Sequence, residues 1–210
     1  MKNDDLAHKP LTFGSLFAGI GGFDLGLERA GMVCKWQVEI DPYASKVLAK
    51  HWPNIRRWDD VRTWPTQDAE YVDVICGGFP CQDISYAGLG AGLDGDRSGL
   101  WFEFARVVRE MEPRFVIVEN VAALLNRGLD IVLRDFATLR YDAEWHAVAA
   151  AHVGAPHLRD RVWIIAYPQA ERTVQGVESL QAPKLSRELG RILGRARVQW
   201  LDHPPVCGEI

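Results

Sequence analysis

Short apolar runs alternate with stretches of helical periodicity from Leu11 to about residue 167. Residues 11–17, 33–39, 72–76 and 115–119 read as strands, and 23–30, 42–51, 100–111 and 129–139 as helices. Gly31 ends the first helix and Pro113 follows the third. Residues 144–151 and 161–167 read as two more strands. Gly154 and Pro156 lie in the segment joining them, so these two can pair as a hairpin. A helix carries the chain back across a sheet, so strands separated by helices pair in parallel and both faces become covered. The expected fold is α/β, a mostly parallel sheet with helices on both faces. In such a sheet, ligands sit beyond the carboxyl ends of the strands.

The pattern weakens after Tyr167. Residues 1–167 are expected to form one domain and 168–210 a small separate module with one helix at 186–195. No apolar run approaches the ~20 residues that span a bilayer. The first ten residues are polar and carry no signal-peptide core. Four cysteines (34, 76, 81, 207) show no CxxC spacing, so neither a disulfide framework nor a metal is expected. These features point to a cytoplasmic protein. The net charge of −4 gives no overall attraction to nucleic acid. Residues 171–198, however, hold six basic side chains against three acidic ones. That excess suits a phosphate backbone, although a solvated helix face has the same composition.

The first strand runs into Phe17-Ala18-Gly19-Ile20-Gly21-Gly22, a turn whose glycines allow close approach to a ligand. A dinucleotide fingerprint needs glycine at position 24, where Asp24 stands. A carboxylate beside a pyrophosphate is repulsive, whereas a cationic sulfonium cofactor tolerates it. Glu39 ends the second strand, where an acid accepts from both ribose hydroxyls. Asp60, after the second helix, can accept from an adenine amino group. A tight turn with two helix-capping acids would leave the same trace.

The third strand leads to Gly77-Gly78-Phe79-Pro80-Cys81-Gln82. Pro80 fixes the exit of the chain, which places Cys81 at the same sheet edge as Glu119 and Asn120. Arg159 and Arg161, two apart, share a face and bring positive charge that favours a thiolate. Thiolate addition to carbon 6 of cytosine makes carbon 5 nucleophilic toward a sulfonium methyl group, with a carboxyl group holding the ring nitrogen. A stacked base cannot reach such a pocket and must be flipped out. Residues 82–99 contain five glycines, a composition suited to a closing lid.

The segments Ser15-Leu16-Phe17-Ala18-Gly19-Ile20-Gly21-Gly22, Gly78-Phe79-Pro80-Cys81-Gln82-Asp83-Ile84-Ser85 and Glu119-Asn120-Val121, in this order, resemble the DNA cytosine-5 methyltransferases. His157-Leu158-Arg159-Asp160-Arg161 resembles the family's later arginine motif, with histidine in place of the usual glutamine. The resemblance implies a Rossmann-like methyltransferase fold, S-adenosylmethionine as cofactor and double-stranded DNA as partner, as in a restriction-modification system. It implies that Phe17, Gly19, Gly21 and Pro80 line the cofactor pocket. Glu39 would then bind the ribose, Ile40 would pack on the adenine and Asp60 would meet its edge. Cys81 would be the nucleophile, with Glu119, Arg159 and Arg161 around the base, while Gln82 and Ser85 would contact DNA.

The family's large target-recognition region and its closing glycine–asparagine motif are not visible. The chain therefore reads as a truncated or split enzyme, with residues 168–210 an incomplete recognition segment. A C-terminal complementing segment is expected to be needed for full activity. An apolar patch at residues 11–16 is expected where that closing element would pack. A silent cofactor- or DNA-binding fragment, or RNA methylation by the same chemistry, remain alternatives.

Overall fold

The computed structural model describes residues 9–80 and 99–169, within the first of the two units into which the chain divides, Met1–Gln169. The elements in chain order are β1 (Thr12–Leu16), α1 (Gly22–Arg29), β2 (Val33–Val38), α2 (Pro42–His51), β3 (Arg56–Trp58), β4 (Val74–Gly77), α3 (Leu100–Met111), β5 (Phe115–Val121), α4 (Leu129–Thr138), β6 (Tyr141–Ala149) and β7 (Asp160–Pro168). One sheet holds all seven strands in the order β3-β2-β1-β4-β5-β7-β6. Strands β1 to β5 pair in parallel. β7 runs antiparallel to both β5 and β6, so the expected hairpin forms. The mostly parallel α/β sheet expected from the sequence is the architecture found.

Local chemistry explains the elements. Asp41 caps α2, accepting from the Ala44 N–H at 2.7 Å, and Pro42 follows it, where a missing N–H costs nothing. Helix α3 buries Trp101, Phe104, Val107 and Val108 along one stripe. These pack with Leu16, Trp36, Val38, Ile75, Val116, Val118, Val162 and Ile164 of the sheet and with Val132 and Phe136 of α4. The Trp101 indole N–H donates to Asp135 at 2.8 Å and ties α3 to α4. Alternate strand residues face the other side, where Ser15 of β1 bonds Asp24 of α1.

Two expectations fail. Strand β3 has no counterpart in the sequence reading, because Arg56-Arg57-Trp58 lacks any apolar alternation. The apolar patch at residues 11–16 is absent as well: Phe13 and Leu16 are fully buried. The reason is packing. Leu16 joins the core beneath α3, the other face meets α1 where Ser15 bonds Asp24, and β2 and β4 flank the strand. Among the described residues, no helix is long and apolar enough to cross a membrane.

Candidate active site

The turn leaving β1 has three residues in left-handed backbone, Phe17 (φ 52°), Gly19 (φ 56°) and Gly21 (φ 90°). For Phe17 that geometry is unfavourable, and it is retained where the surroundings enforce it. The Ala18 N–H donates to the Val38 carbonyl at 3.1 Å, and the Gly21 N–H to the Ala18 carbonyl at 2.9 Å. A side chain at Gly21 would run into the ring of Trp52.

Glu39, just past the end of β2, grips this turn. Its Oε2 accepts from the Gly19 N–H at 2.6 Å and its Oε1 from the Asp41 N–H at 2.7 Å. One carboxylate thus joins the glycine turn to the start of α2, and each oxygen keeps a second lone pair. Ile40, beside it, is 59% exposed, an apolar surface at the mouth of the turn. Asp60 follows β3 and is bound by its neighbour: Arg62 donates from Nε and from a terminal nitrogen, and its backbone N–H donates to Oδ1 at 3.0 Å. These bonds hold the Asp60 carboxyl below its usual range, and therefore ionised. Glu39 keeps free acceptor capacity, whereas both oxygens of Asp60 are already occupied by Arg62. Glu39 suits a cationic nucleoside with hydroxyl donors and repels phosphate. Replacing Glu39 by alanine should weaken cofactor binding by about 1.5–3 kcal/mol. Calorimetry with S-adenosylhomocysteine measures this, and an unchanged affinity would refute the ribose role.

The chemical end lies two strands away, where β4 and β5 finish side by side. Gly77 backs onto the Leu16 carbonyl and has no room for a side chain. A Cβ on Gly78 would stand 2.9 Å from Glu119 Oε2, so the Glu119 carboxyl lies directly over Gly78. Arg161 Nε meets Glu119 Oε1 at 2.7 Å, a contact set by the pairing of β5 with β7. Arg159 stands one residue before β7 and is exposed. Burial pushes the Glu119 carboxyl above its usual range, although Arg161 and then Arg159 pull the other way. The group is therefore poised to hold a proton more readily than a free glutamate. Cys81, Gln82 and Ser85 lie outside the described residues. Pro80, the last described residue before them, is half-buried.

Asn120 has a structural part that the sequence reading did not assign. Its side chain is 2% exposed. Its Nδ2 donates to the Phe79 carbonyl at 3.2 Å, and its Oδ1 accepts from the Val121 N–H at 2.8 Å. The end of β5 thus clamps the chain two residues before Cys81. The available signal was the amide itself, since a buried amide must find partners. Asn120→Ala should cost about 1–3 kcal/mol of stability from the unpaired Phe79 carbonyl. A thermal melt checks this, and an unchanged midpoint would show that the amide does not clamp the chain.

Asp24 does not sit where the sequence suggested. It is fully buried on the inner side of α1 and faces the sheet, away from the glycine turn's open side. Its burial raises its carboxyl pKa despite hydrogen bonds from Gln37 and Ser15. Cys34 and Cys76 are free and buried, and burial pushes both thiols far up, leaving them unreactive. A cleft of about 390 Å³ lies at the opposite edge of the sheet, lined by Lys35, Tyr71, Asp73 and Arg114 among others, where Lys35 pairs with Glu70 and Arg114 with Asp73.

Comparison with known proteins agrees with this geometry. Residues 11–202 match the model of the C-5 cytosine-specific DNA methylase family. The chain is 38% identical over 168 residues to the type II methyltransferase M.Eco47II of Escherichia coli, covering 77% of this chain and 40% of that protein. It is 32% identical over 178 residues to M.HhaI of Haemophilus parahaemolyticus, covering 83% and 53%. It therefore spans about half, or less, of the length of these relatives. The S. pombe Dnmt2 methyltransferase superposes with a TM-score of 0.64 at 18% identity, over 83% of this chain and 55% of that one, a likeness of fold. With the family model covering nearly the whole chain, this protein belongs to the C-5 cytosine-specific DNA methylases.

Proposed function

We propose that this chain carries the cofactor-binding and catalytic half of an enzyme that methylates carbon 5 of cytosine in double-stranded DNA. The observation that carries the reading is the Glu119 carboxyl. It is half-buried, inclined to hold a proton, oriented by Arg161 and laid over Gly78, three residues before Cys81. A protonated Glu119 can donate to the ring nitrogen of a flipped cytosine and draw electron density from carbon 6. The Cys81 thiolate then adds at carbon 6, and carbon 5 becomes the nucleophile. Loss of the carbon 5 proton reverses the addition and releases Cys81.

S-adenosylmethionine, when bound, supplies the electrophilic methyl group. Glu39, Asp60, Ile40 and the turn at Phe17, Gly19 and Gly21 would hold it, with Pro80 between the two ends. Gln82 and Ser85 would meet the DNA, and the basic excess in residues 171–198 would add salt-dependent attraction. A C-terminal segment that closes the cofactor pocket would complete the enzyme by excluding water.

The test is transfer of tritium from labelled S-adenosylmethionine to mixed duplex DNA, with and without a C-terminal fragment from a relative. Slow or absent transfer by the chain alone, raised at least about tenfold by the fragment, is expected. No label on cytosine carbon 5 under either condition would defeat the proposal.

A further inference from the structure

We propose that Asp24 is a positioning residue for the cofactor turn: with Ser15, Gln37 and Arg57 it forms a buried polar strut that fixes the turn's shape from behind. This rests on the cofactor reading given above. Asp24 Oδ2 accepts from the Ser15 hydroxyl at 3.1 Å, and its Oδ1 from Gln37 Nε2 at 2.7 Å. The Cys34 thiol approaches the same Oδ1 at 3.6 Å. Gln37 Oε1 in turn accepts from Arg57 Nε at 3.0 Å, and Arg57 also donates to the Trp52 carbonyl. The Trp52 ring occupies the space behind Gly21 where a side chain would otherwise stand.

The bonds run from the first turn of α1 through β1, β2 and Arg57 of β3 to the end of α2. Packing of the Trp52 ring behind Gly21 closes the path on the glycine turn. Ser15 is two residues before Phe17, Gln37 two before Glu39, and Asp24 three after Gly21, so each stands close behind a group that faces the cofactor. Asp24, Ser15 and Gln37 are fully buried. A buried carboxyl is a poor choice for stability alone, because an apolar side chain of similar volume would avoid its desolvation. What a satisfied polar network adds is one fixed arrangement of the elements it joins. Here the elements joined are those that set the distance from the Gly19 N–H to Glu39.

The strut has a direction: Asp24 accepts, Gln37 donates to it, and Arg57 donates to Gln37. Gln37→Glu sets a carboxylate against the Asp24 carboxylate and breaks this order, because neither can then donate to the other. Adding Asp24→Asn restores it in reverse. The new amide at position 24 then donates to the new carboxylate at position 37, which still accepts from Arg57. Hydrogen exchange at the Gly19, Gly21 and Leu25 amides should accelerate about tenfold in Gln37→Glu. In the double variant it should return to within about threefold of wild type. Amides of the β6–β7 hairpin should not change in either. The affinity for S-adenosylhomocysteine should follow the same order. Should Gln37→Glu fail to fold, Arg57→Met cuts the strut at its half-buried outer end and should accelerate Gly21 exchange about threefold. Unchanged turn exchange in the folded single variants, a double variant no better than Gln37→Glu, or equal acceleration across the hairpin would each overturn the proposal. A wild-type chain that binds no S-adenosylhomocysteine would overturn the cofactor reading, while the exchange data would still decide the strut.

Discussion

In the complemented enzyme proposed above, replacing Cys81 by serine is expected to lower methyl transfer by about 10⁴-fold or more, and to abolish the covalent adduct with duplex DNA containing 5-fluorocytosine. A hydroxyl is a far weaker nucleophile than a thiolate at neutral pH, and no other described group can replace it. Cys34 and Cys76 are buried with thiols pushed far up by desolvation. The residues that lead to Cys81 are held from both sides. Glu119 covers Gly78, Asn120 bonds the Phe79 carbonyl, and Pro80 fixes the next step of the chain. Fluorine at carbon 5 blocks the final elimination, so the wild-type thioether should persist through denaturing electrophoresis when cofactor is present. An adduct at wild-type level in Cys81→Ser would refute the assignment.

The second large effect concerns Glu119→Gln, expected to slow transfer by about 10²–10⁴-fold. Glutamine keeps the volume and can still donate a hydrogen bond, but it has no proton to share with the ring nitrogen. The pH dependence separates the two. Burial raises the Glu119 carboxyl above its ordinary value of 4.5, so the acid form persists to higher pH than in a free glutamate and is lost as pH rises through the folded value. The wild-type rate should therefore fall on that limb, and the limb should vanish in Glu119→Gln. Stability has the same sign. The folded state holds this proton more tightly than the unfolded chain, so the contribution of Glu119 to stability declines as pH climbs from 4.5 to the folded value. A Glu119→Gln rate within tenfold of wild type, or an unchanged limb, would show that the carboxyl only orients the base.

Much of this arrangement is legible in the sequence, for reasons that differ from place to place. Helices α2 and α3 match their expected bounds to the residue. Each has an amphipathic stripe, Asp41 and Pro42 mark the start of α2, and Pro113 lies just beyond the end of α3. The juxtaposition of Glu119 with Arg161 follows from strand ends meeting at one edge, and the β5–β7 register places them together. Strand β3 leaves no signal, because it is three residues long and two are arginines. Asp24 misleads for another reason. Its spacing from the glycines suggests a group beside the ligand, but the direction of a side chain on a first helical turn depends on how α1 packs, which spacing alone does not reveal. The error over residues 11–16 is one of face packing. An apolar run does not say which elements cover its two faces, and here α1 and α3 do so from within the same unit.

Strand order also sets when the site can exist. β7 lies between β5 and β6, although it is made last. During synthesis the chain emerges from its amino end, so the glycine turn, its Glu39 bond and the parallel strands β1 to β5 can assemble first. β6 then waits for β7, its neighbour among the described strands, to be made. Until about residue 168 is free, the edge of β5 is open and Glu119 has neither Arg161 nor the covering strand. The cofactor end is thus an early product of folding and the acid a late one. The glycine turn can be shaped well before the Glu119–Arg161 pair, which waits for the hairpin to close against β5.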